Sequence, residues 1–282
     1  MIKIENTEVY GFEAAIRGMR NPMNSWSKSD SQICSTYAVE EGCCFYGNDA
    51  KCLHWRDCDN GISINDAQIA HIGPNDLDLM KRLRNAGSDH RKFMRMITVY
   101  LDITAPIYWW KEFKTYRNGR KYGNDEPEII NEEYLEYDIE MNSRSTMHKI
   151  QAKEFTFDDF SHEHLIDDWH ENLYIEEEDY ENAYNGFCYA FIPEDILRLT
   201  IKMLNKTRDL YLQTKNKKYW WQMIQLLPSS YNQKRTIMLN YEVLANMYKS
   251  RKGHKLDEWR DFCKWIESLP YSGLITGDDL ND

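Results

Sequence analysis

The stretch "RTIMLNYEVLANMYKSRKGHKLDEW", residues 235–259, reads as a strand that runs into a short helix and ends in a burst of cations. Ile237 and Leu239 fall on one side of the strand, at the two-residue period of a half-buried element. Asn240 is placed to cap the helix, because its side-chain oxygen can accept from an otherwise unsatisfied N–H of the first turn. Lys249, Arg251, Lys252, His254 and Lys255 gather at the C-terminal end. The helix macrodipole alone favours cations there, so the cluster gains a functional meaning only if other segments support one. An amphipathic helix, "LDEWRDFCKWIESLP", follows, with Trp259, Phe262, Ile266 and Leu269 expected to pack inward.

Upstream the chain alternates from Thr98, with Val99, Leu101 and Ile103 on one face and Thr98, Tyr100 and Asp102 on the other, which predicts a second half-buried strand. Thr104 then caps "APIYWWKEFKTYR", where Pro106 suits the first turn and Ile107 and Trp110 face the core. Asn75 is expected to cap a helix from Asp76 to about Ala86, with Leu79 and Leu83 on one face, Lys81, Arg82 and Arg84 near its end, and Gly87 as its stop. A long helix after Pro193 carries Ile196, Leu199, Met203 and Leu210 at helical spacing, the mark of a core-facing stripe. The opening "IKIENTEVYGFEAAI" predicts a first strand. Residues 27–73 and 118–141 are polar and aperiodic and read as insertions into one elaborated domain of residues 1–282. The acidic run "IEEEDYEN" reads as a solvated face.

Composition narrows the function classes. In 282 residues, 42% are apolar, enough for a sizeable core. A formal net charge of -11 argues against a dedicated nucleic-acid or anionic-membrane binder, since neutralising phosphates needs a basic field; a local basic patch can still bind a small anion. No run approaches 18 apolar residues and the N-terminus lacks the blocks of a signal peptide, so a cytoplasmic protein is expected. Seven cysteines, an odd number, fit reduced thiols better than a disulfide framework. Cys34, Cys43, Cys44, Cys52 and Cys58 lie near His54 but form no C-x-x-C knuckle, so no metal site is expected.

Three separated blocks resemble the flavin-dependent thymidylate synthases, in a divergent, phage-type form. They are "LRNAGSDHRKFMRMITVYLDITAPIYWWKEFKTYR" (83–117), "MNSRSTMHK" (141–149), and the C-terminal stretch from "LP" through Asn240, "L-x-N", Arg251, His254 and Trp259. The resemblance implies an α/β (α+β) fold with a central mixed or antiparallel sheet flanked by helices. It places Arg251 at the catalytic arginine that grips the uracil ring, and His90, Arg117, Asn240, Asn246 and His254 at flavin-contacting positions. It places Glu112, Ser145, Lys234 and Arg251 at the substrate nucleotide, with Arg235 beside Lys234. Departures accompany these matches: Thr115 and Tyr116 replace an Arg and a His, Arg95 replaces a carboxylate, Glu112 replaces a glutamine, and Met147 stands where the closing arginine belongs.

What the resemblance implies for chemistry is one-carbon transfer to a pyrimidine deoxynucleotide, dUMP to dTMP or a related uracil or cytosine nucleotide. FAD is the implied cofactor, methylene-tetrahydrofolate and NADPH the co-substrates, and a homotetramer with shared sites the implied assembly. A cofactor route needs no cysteine nucleophile, and no cysteine lies in a matched position. The competing class is a non-catalytic nucleotide-binding or interaction protein that keeps the fold. Glu112 either accepts from a cytosine amine, which an ionised carboxylate can do, or pairs with a cation such as Arg95 or Arg117.

Overall fold

The computed structural model describes residues 2–34, 69–116, 140–143, 149–167, 175–177 and 189–277. Arg117, Ser145, Cys43, Cys44, Cys52, Cys58 and His54, most of both insertions and most of the acidic run therefore lie outside the described residues. The fold is mixed α/β, with a four-stranded antiparallel sheet plus helices. Its strands are β1 (Lys3–Tyr10), β4 (Thr98–Pro106), β8 (Asn232–Asn240) and β5 (Glu140–Ser143), in the order β1-β4-β8-β5. Two antiparallel pairs stand apart, β2 (Gln32–Cys34) with β3 (Ile69–His71) and β6 (Ile175–Glu177) with β7 (Tyr189–Phe191). The first pair is built from the two ends of the 27–73 segment, so those ends belong to the ordered fold.

Alternation makes β4 and β8 strands. Val99, Leu101, Ile103 and Ala105 are buried on one, and Gln233, Arg235, Ile237 and Leu239 on the other. The chain divides into two compact units, with the division falling within each of these strands.

The larger unit holds α1 (Phe12–Arg20), α2 (Pro74–Asn85), α6 (Tyr241–Arg251), α7 (Asp257–Glu267), α8 (Gly273–Thr276) and a 3-10 turn at Arg91–Met96. Gly11, at φ 96, enters α1 where a Cβ would lie 2.0 Å from the Met96 carbonyl oxygen. Only glycine fits there. The α2 helix begins two residues earlier than expected, at Pro74, and Asp30 caps it in place of Asn75 by accepting from the N–H groups of Asn75 (2.9 Å) and Asp76 (3.1 Å). Its buried positions are Asp76 and Met80, while Leu79 and Leu83 are half-buried. The Asp76 carboxylate accepts from Arg20 Nε (2.6 Å) and from the Ser29 and Ser31 hydroxyls (2.6 Å each). Burial pushes its pKa up, but these hydrogen bonds and the Arg20 charge outweigh that and leave it below the usual value.

The smaller unit holds α3 (Ile107–Phe113), α4 (Pro193–Thr214) and α5 (Lys217–Leu226). Its core joins Ile150, Phe155, Phe160, Leu197, Leu204 and Met223. Pro106 closes β4 instead of opening the helix, Trp110 is buried and Ile107 is half-buried. The buried face of α4 is Leu197, Ile201, Leu204 and Thr207. Most of the expected core stripe is instead in solvent: Ile196, Leu199 and Met203 are 43%, 51% and 48% exposed, and Leu210 is half-buried. Two apolar stripes run along this helix, and periodicity cannot rank them. Among the described residues no helix is long and apolar enough to cross a membrane.

Candidate functional site

The junction of β8 and α6 is built without a loop. Asn240 ends the strand and caps the helix, its Oδ1 accepting from Val243 N–H at 3.0 Å, and it is only 7% exposed. One lone pair of its oxygen is thus committed to the fold, and the amide nitrogen is its donor for any further contact. Tyr241 N–H donates to the Ile97 carbonyl at 3.1 Å, tying the helix start to the end of the 3-10 turn.

One turn further on, α6 presents Glu242 and Asn246 on one face, four residues apart. Glu242 is buried, accepts from Arg91 Nε at 3.1 Å and forms a short ion pair with Arg95. Asn246 Oδ1 accepts from Arg91 Nη2 at 3.3 Å. His90 immediately precedes this arginine pair and is exposed, with its backbone N–H on the Gly87 carbonyl at 3.1 Å. The structure therefore brings Asn246 and the turn after His90 together. Sequence reasoning passed over Glu242 and Arg91 and met Arg95 as a departure and as a candidate partner of Glu112, whereas its guanidinium sits on Glu242. The available signal was the i,i+4 spacing of the two arginines against a Glu in the first turn of a capped helix.

At the other end of α6, Arg251 is half-buried and its guanidinium lies 4.6 Å over the ring of fully buried Trp259 in α7. Such stacking fixes the plane of the cation while leaving its edge for hydrogen bonding. The His254 N–H donates to the Arg251 carbonyl at 3.0 Å, and His254 Nδ1 accepts from Leu256 N–H at 3.1 Å. In the neutral imidazole that bond puts the ring proton on Nε2. The His254 ring stands edge-on to Trp259 at 6.3 Å. Lys249, Lys252 and Lys255 are exposed. Two cations of the terminal cluster lie over buried rings, Lys252 Nζ at 5.1 Å from Tyr248 and Arg251 over Trp259, and of the two Arg251 is the half-buried one.

In the smaller unit the pleat of β8 separates two neighbours. Arg235 points inward, with Nε and Nη2 donating to Gln233 Oε1 at 3.1 and 2.7 Å and the guanidinium 4.3 Å over Trp110; burial lowers its pKa to about 10. Lys234 is exposed and lines a cavity of about 210 Å³ together with Lys149, Lys153, Asp158, Asp159 and Asn232. Lys153 pairs with Asp159, whose carboxyl is raised by burial but lowered further by Lys153 and Thr156. The Asn232 Oδ1 is buried with no hydrogen-bond partner. Lys149 and Lys234 supply donors for a phosphate or another small anion, against the charge of Asp158 and Asp159, while the Asn232 oxygen calls for a donor. Glu112, half-buried in α3, is not among the lining residues, and its carbonyl accepts from Thr115 Oγ1 at 2.7 Å. Arg117 and Ser145 lie outside the described residues.

No protein-family model matches the sequence, and no curated protein matches it. Solved structures do match. Flavin-dependent thymidylate synthase ThyX from Helicobacter pylori, determined with FAD and dUMP, superposes at a TM-score of 0.54 and 14% identity over 98% of each chain. A second structure of that enzyme complexed with FAD and dUMP gives 0.54 and 15%, again over 98% of each chain. The chain has the ThyX fold. A weaker match, TM-score 0.47 and 11% identity over 95% of this chain and 88% of the other, is to the UMP/dUMP methylase PolB from Streptomyces cacaoi bound with 5-Br dUMP. The ThyX likeness extends well past the three sequence blocks that carry the resemblance, and at these identities it is a statement about fold.

Proposed function

We propose that this chain is a cytoplasmic, homotetrameric enzyme that transfers one carbon to C5 of a pyrimidine deoxynucleotide, dUMP or a related uracil or cytosine nucleotide. FAD is the cofactor, methylene-tetrahydrofolate the carbon donor and NADPH the reductant. The carrying observation is the Arg251, Trp259 and His254 arrangement at the end of α6, in a chain whose fold matches structures holding FAD and dUMP.

In this reading Arg251 donates from its guanidinium edge to a ring carbonyl, and its charge stabilises the oxygen as negative charge builds on the ring. Stacking on Trp259 fixes the plane of the cation before substrate arrives, so little ordering remains to be done at the transition state. Lys234, with Lys149 beside it in the cavity lining, receives a phosphate. The residues present fit a flavin: His90, Arg91, Asn246 and His254 supply cationic and hydrogen-bonding groups to its phosphates and ring, with Asn240 Nδ2 and Arg117. When bound, the flavin supplies the reducing equivalents that the transfer requires.

One observation favours the rival reading, a nucleotide-binding protein without catalysis. The side-chain oxygens of Asn240 and Asn246 already serve the helix cap and Arg91, which weakens a flavin grip. Incubating purified protein with FAD, dUMP, methylene-tetrahydrofolate and NADPH and assaying dTMP by chromatography separates the two. The enzyme reading expects dTMP and flavin fluorescence quenching. Nucleotide binding without either supports the rival. Arg251→Ala should weaken dUMP binding by about 1.5–3 kcal/mol, roughly ten- to a hundredfold, with the melting temperature nearly unchanged. Unchanged affinity by calorimetry would place the nucleotide elsewhere.

A further inference from the structure

Away from the candidate site, the hairpin of α4 and α5 concentrates positive charge in a chain of net charge -11. Lys215 closes α4 in the left-handed conformation, φ 55, with its N–H on the Tyr211 carbonyl at 2.8 Å. Asn216 caps α5 by accepting from Lys218 N–H at 3.1 Å. The turn thereby fixes Lys215, Lys217 and Lys218 at one tip, all exposed. Along α4, Leu199, Lys202, Met203 and Lys206 form one exposed i, i+3, i+4, i+7 stripe of alternating apolar and cationic groups.

The helix's own acids do not neutralise this charge. Glu194 pairs with Arg198 and Asp209 with Arg208. Among the described residues Lys202, Lys206, Lys215, Lys217 and Lys218 have no ion-pair partner. Beside them stands an aromatic platform. Trp221 is 45% exposed, its ring 5.8 Å from Lys217 Nζ and edge-on to Trp220 at 5.0 Å, while Lys218 Nζ lies 4.7 Å from the Tyr219 ring.

We infer that the α4–α5 tip is a binding site for single-stranded nucleic acid, with Lys215, Lys217 and Lys218 on successive phosphates and Trp221 stacked on a base. Lysines alone would serve any polyanion. An exposed tryptophan among them adds a face that every nucleobase can stack on and that carboxylates alone leave unfilled. The charge of the whole chain opposes such binding at long range, but at about 0.1 M salt fields decay within roughly 10 Å, so the local patch decides.

The test uses the full chain and a fluorescein-labelled 20-nucleotide oligo-dT, read by anisotropy near 0.1 M salt. Expected are saturable binding, quenching of tryptophan emission, and a log–log salt slope of about -2 for three phosphate contacts. Lys217→Glu with Lys218→Glu should weaken binding at least tenfold, and Trp221→Ala roughly fivefold or more. Both changes sit on exposed surface, and unchanged circular dichroism would verify folding; Lys217→Gln with Lys218→Gln serves if the charge reversal misfolds. Absence of binding overturns the inference. So does equal competition by polyglutamate with no effect of Trp221→Ala, which would mark an acidic-peptide surface instead. None of this depends on flavin or nucleotide binding at α6.

Discussion

The helices α4 and α6 solve opposite problems. The 11-residue α6 is buried along most of its length, and its one buried carboxylate, Glu242, is met by two arginines. The 22-residue α4 buries a single stripe and leaves leucine, isoleucine and methionine in water next to unpaired lysines. In α6 the buried carboxylate had to be matched because burying a charge without a partner costs several kcal/mol. In α4 nothing forces a match, so the exposed composition is open to another use.

Shortening one side chain on each stripe of α4 separates the buried face from the exposed one. Leu204, fully buried, should lose about 3–4 kcal/mol of stability on Leu204→Ala, through lost apolar burial and the cavity left behind. Met203→Ala, one residue away but 48% exposed, should stay within about 0.5 kcal/mol. Urea denaturation measures both. Equal losses would mean that Met203 is covered in the native protein.

Next in size is Glu242→Gln, which leaves Arg91 and Arg95 without their shared counter-charge. Breaking a buried pair from one side costs about 3–5 kcal/mol. The two arginines keep 26% and 32% of their side-chain exposure, so about 3 kcal/mol, near the lower bound, is expected. Differential scanning calorimetry should show it, with Arg91→Ala less damaging because Arg95 remains on the carboxylate.

These two helices also mark what the sequence could tell. The strand β4 was legible because alternation from Val99 to Ile103 is a local signal. The junction of β8 with α6 was legible because Asn240 is a local cap. The three blocks of resemblance led to the α/β fold, and the ThyX match agrees. The buried stripe of α4 was not legible, since Leu197, Ile201 and Leu204 are as apolar as Ile196, Leu199 and Met203 and only tertiary packing chooses between them. Nor was the capping of α2 by Asp30, or the meeting of Glu242 with Arg91, which is 151 residues away in sequence. Long-range polar partners leave no periodic trace. Of the site residues, Arg251, His254 and Asn246 fall on or just after one helix as the sequence suggested, whereas Lys234 and Arg235 are separated by the pleat.

A buried carboxylate in the larger unit gives a pH-dependent counterpart. Asp76 is held below its ordinary pKa in the folded chain. Its contribution to stability is therefore complete above the unfolded value, near 3.9, and is lost as pH falls through the folded value. Asp76→Asn should be less stable than wild type at pH 6, and the two unfolding curves should converge towards pH 2. A constant gap down to pH 2 would show that Asp76 acts by shape and hydrogen bonding alone.

The smallest expected effect tests how far the cap at Asn240 is separable from cofactor binding. Its Oδ1 holds the Val243 N–H, so Asn240→Ala should cost about 1 kcal/mol. A serine caps nearly as well, so Asn240→Ser should cost only a few tenths of that. Serine, however, removes the amide nitrogen, which is the side-chain N–H donor Asn240 offers to a flavin. If FAD binding, followed by fluorescence quenching, falls in Asn240→Ser while its melting temperature stays within about 1 °C of wild type, the residue has two separable roles. If affinity follows stability through both variants, Asn240 serves the junction of β8 and α6 alone, and the flavin contact must be sought at Asn246, His254 and His90.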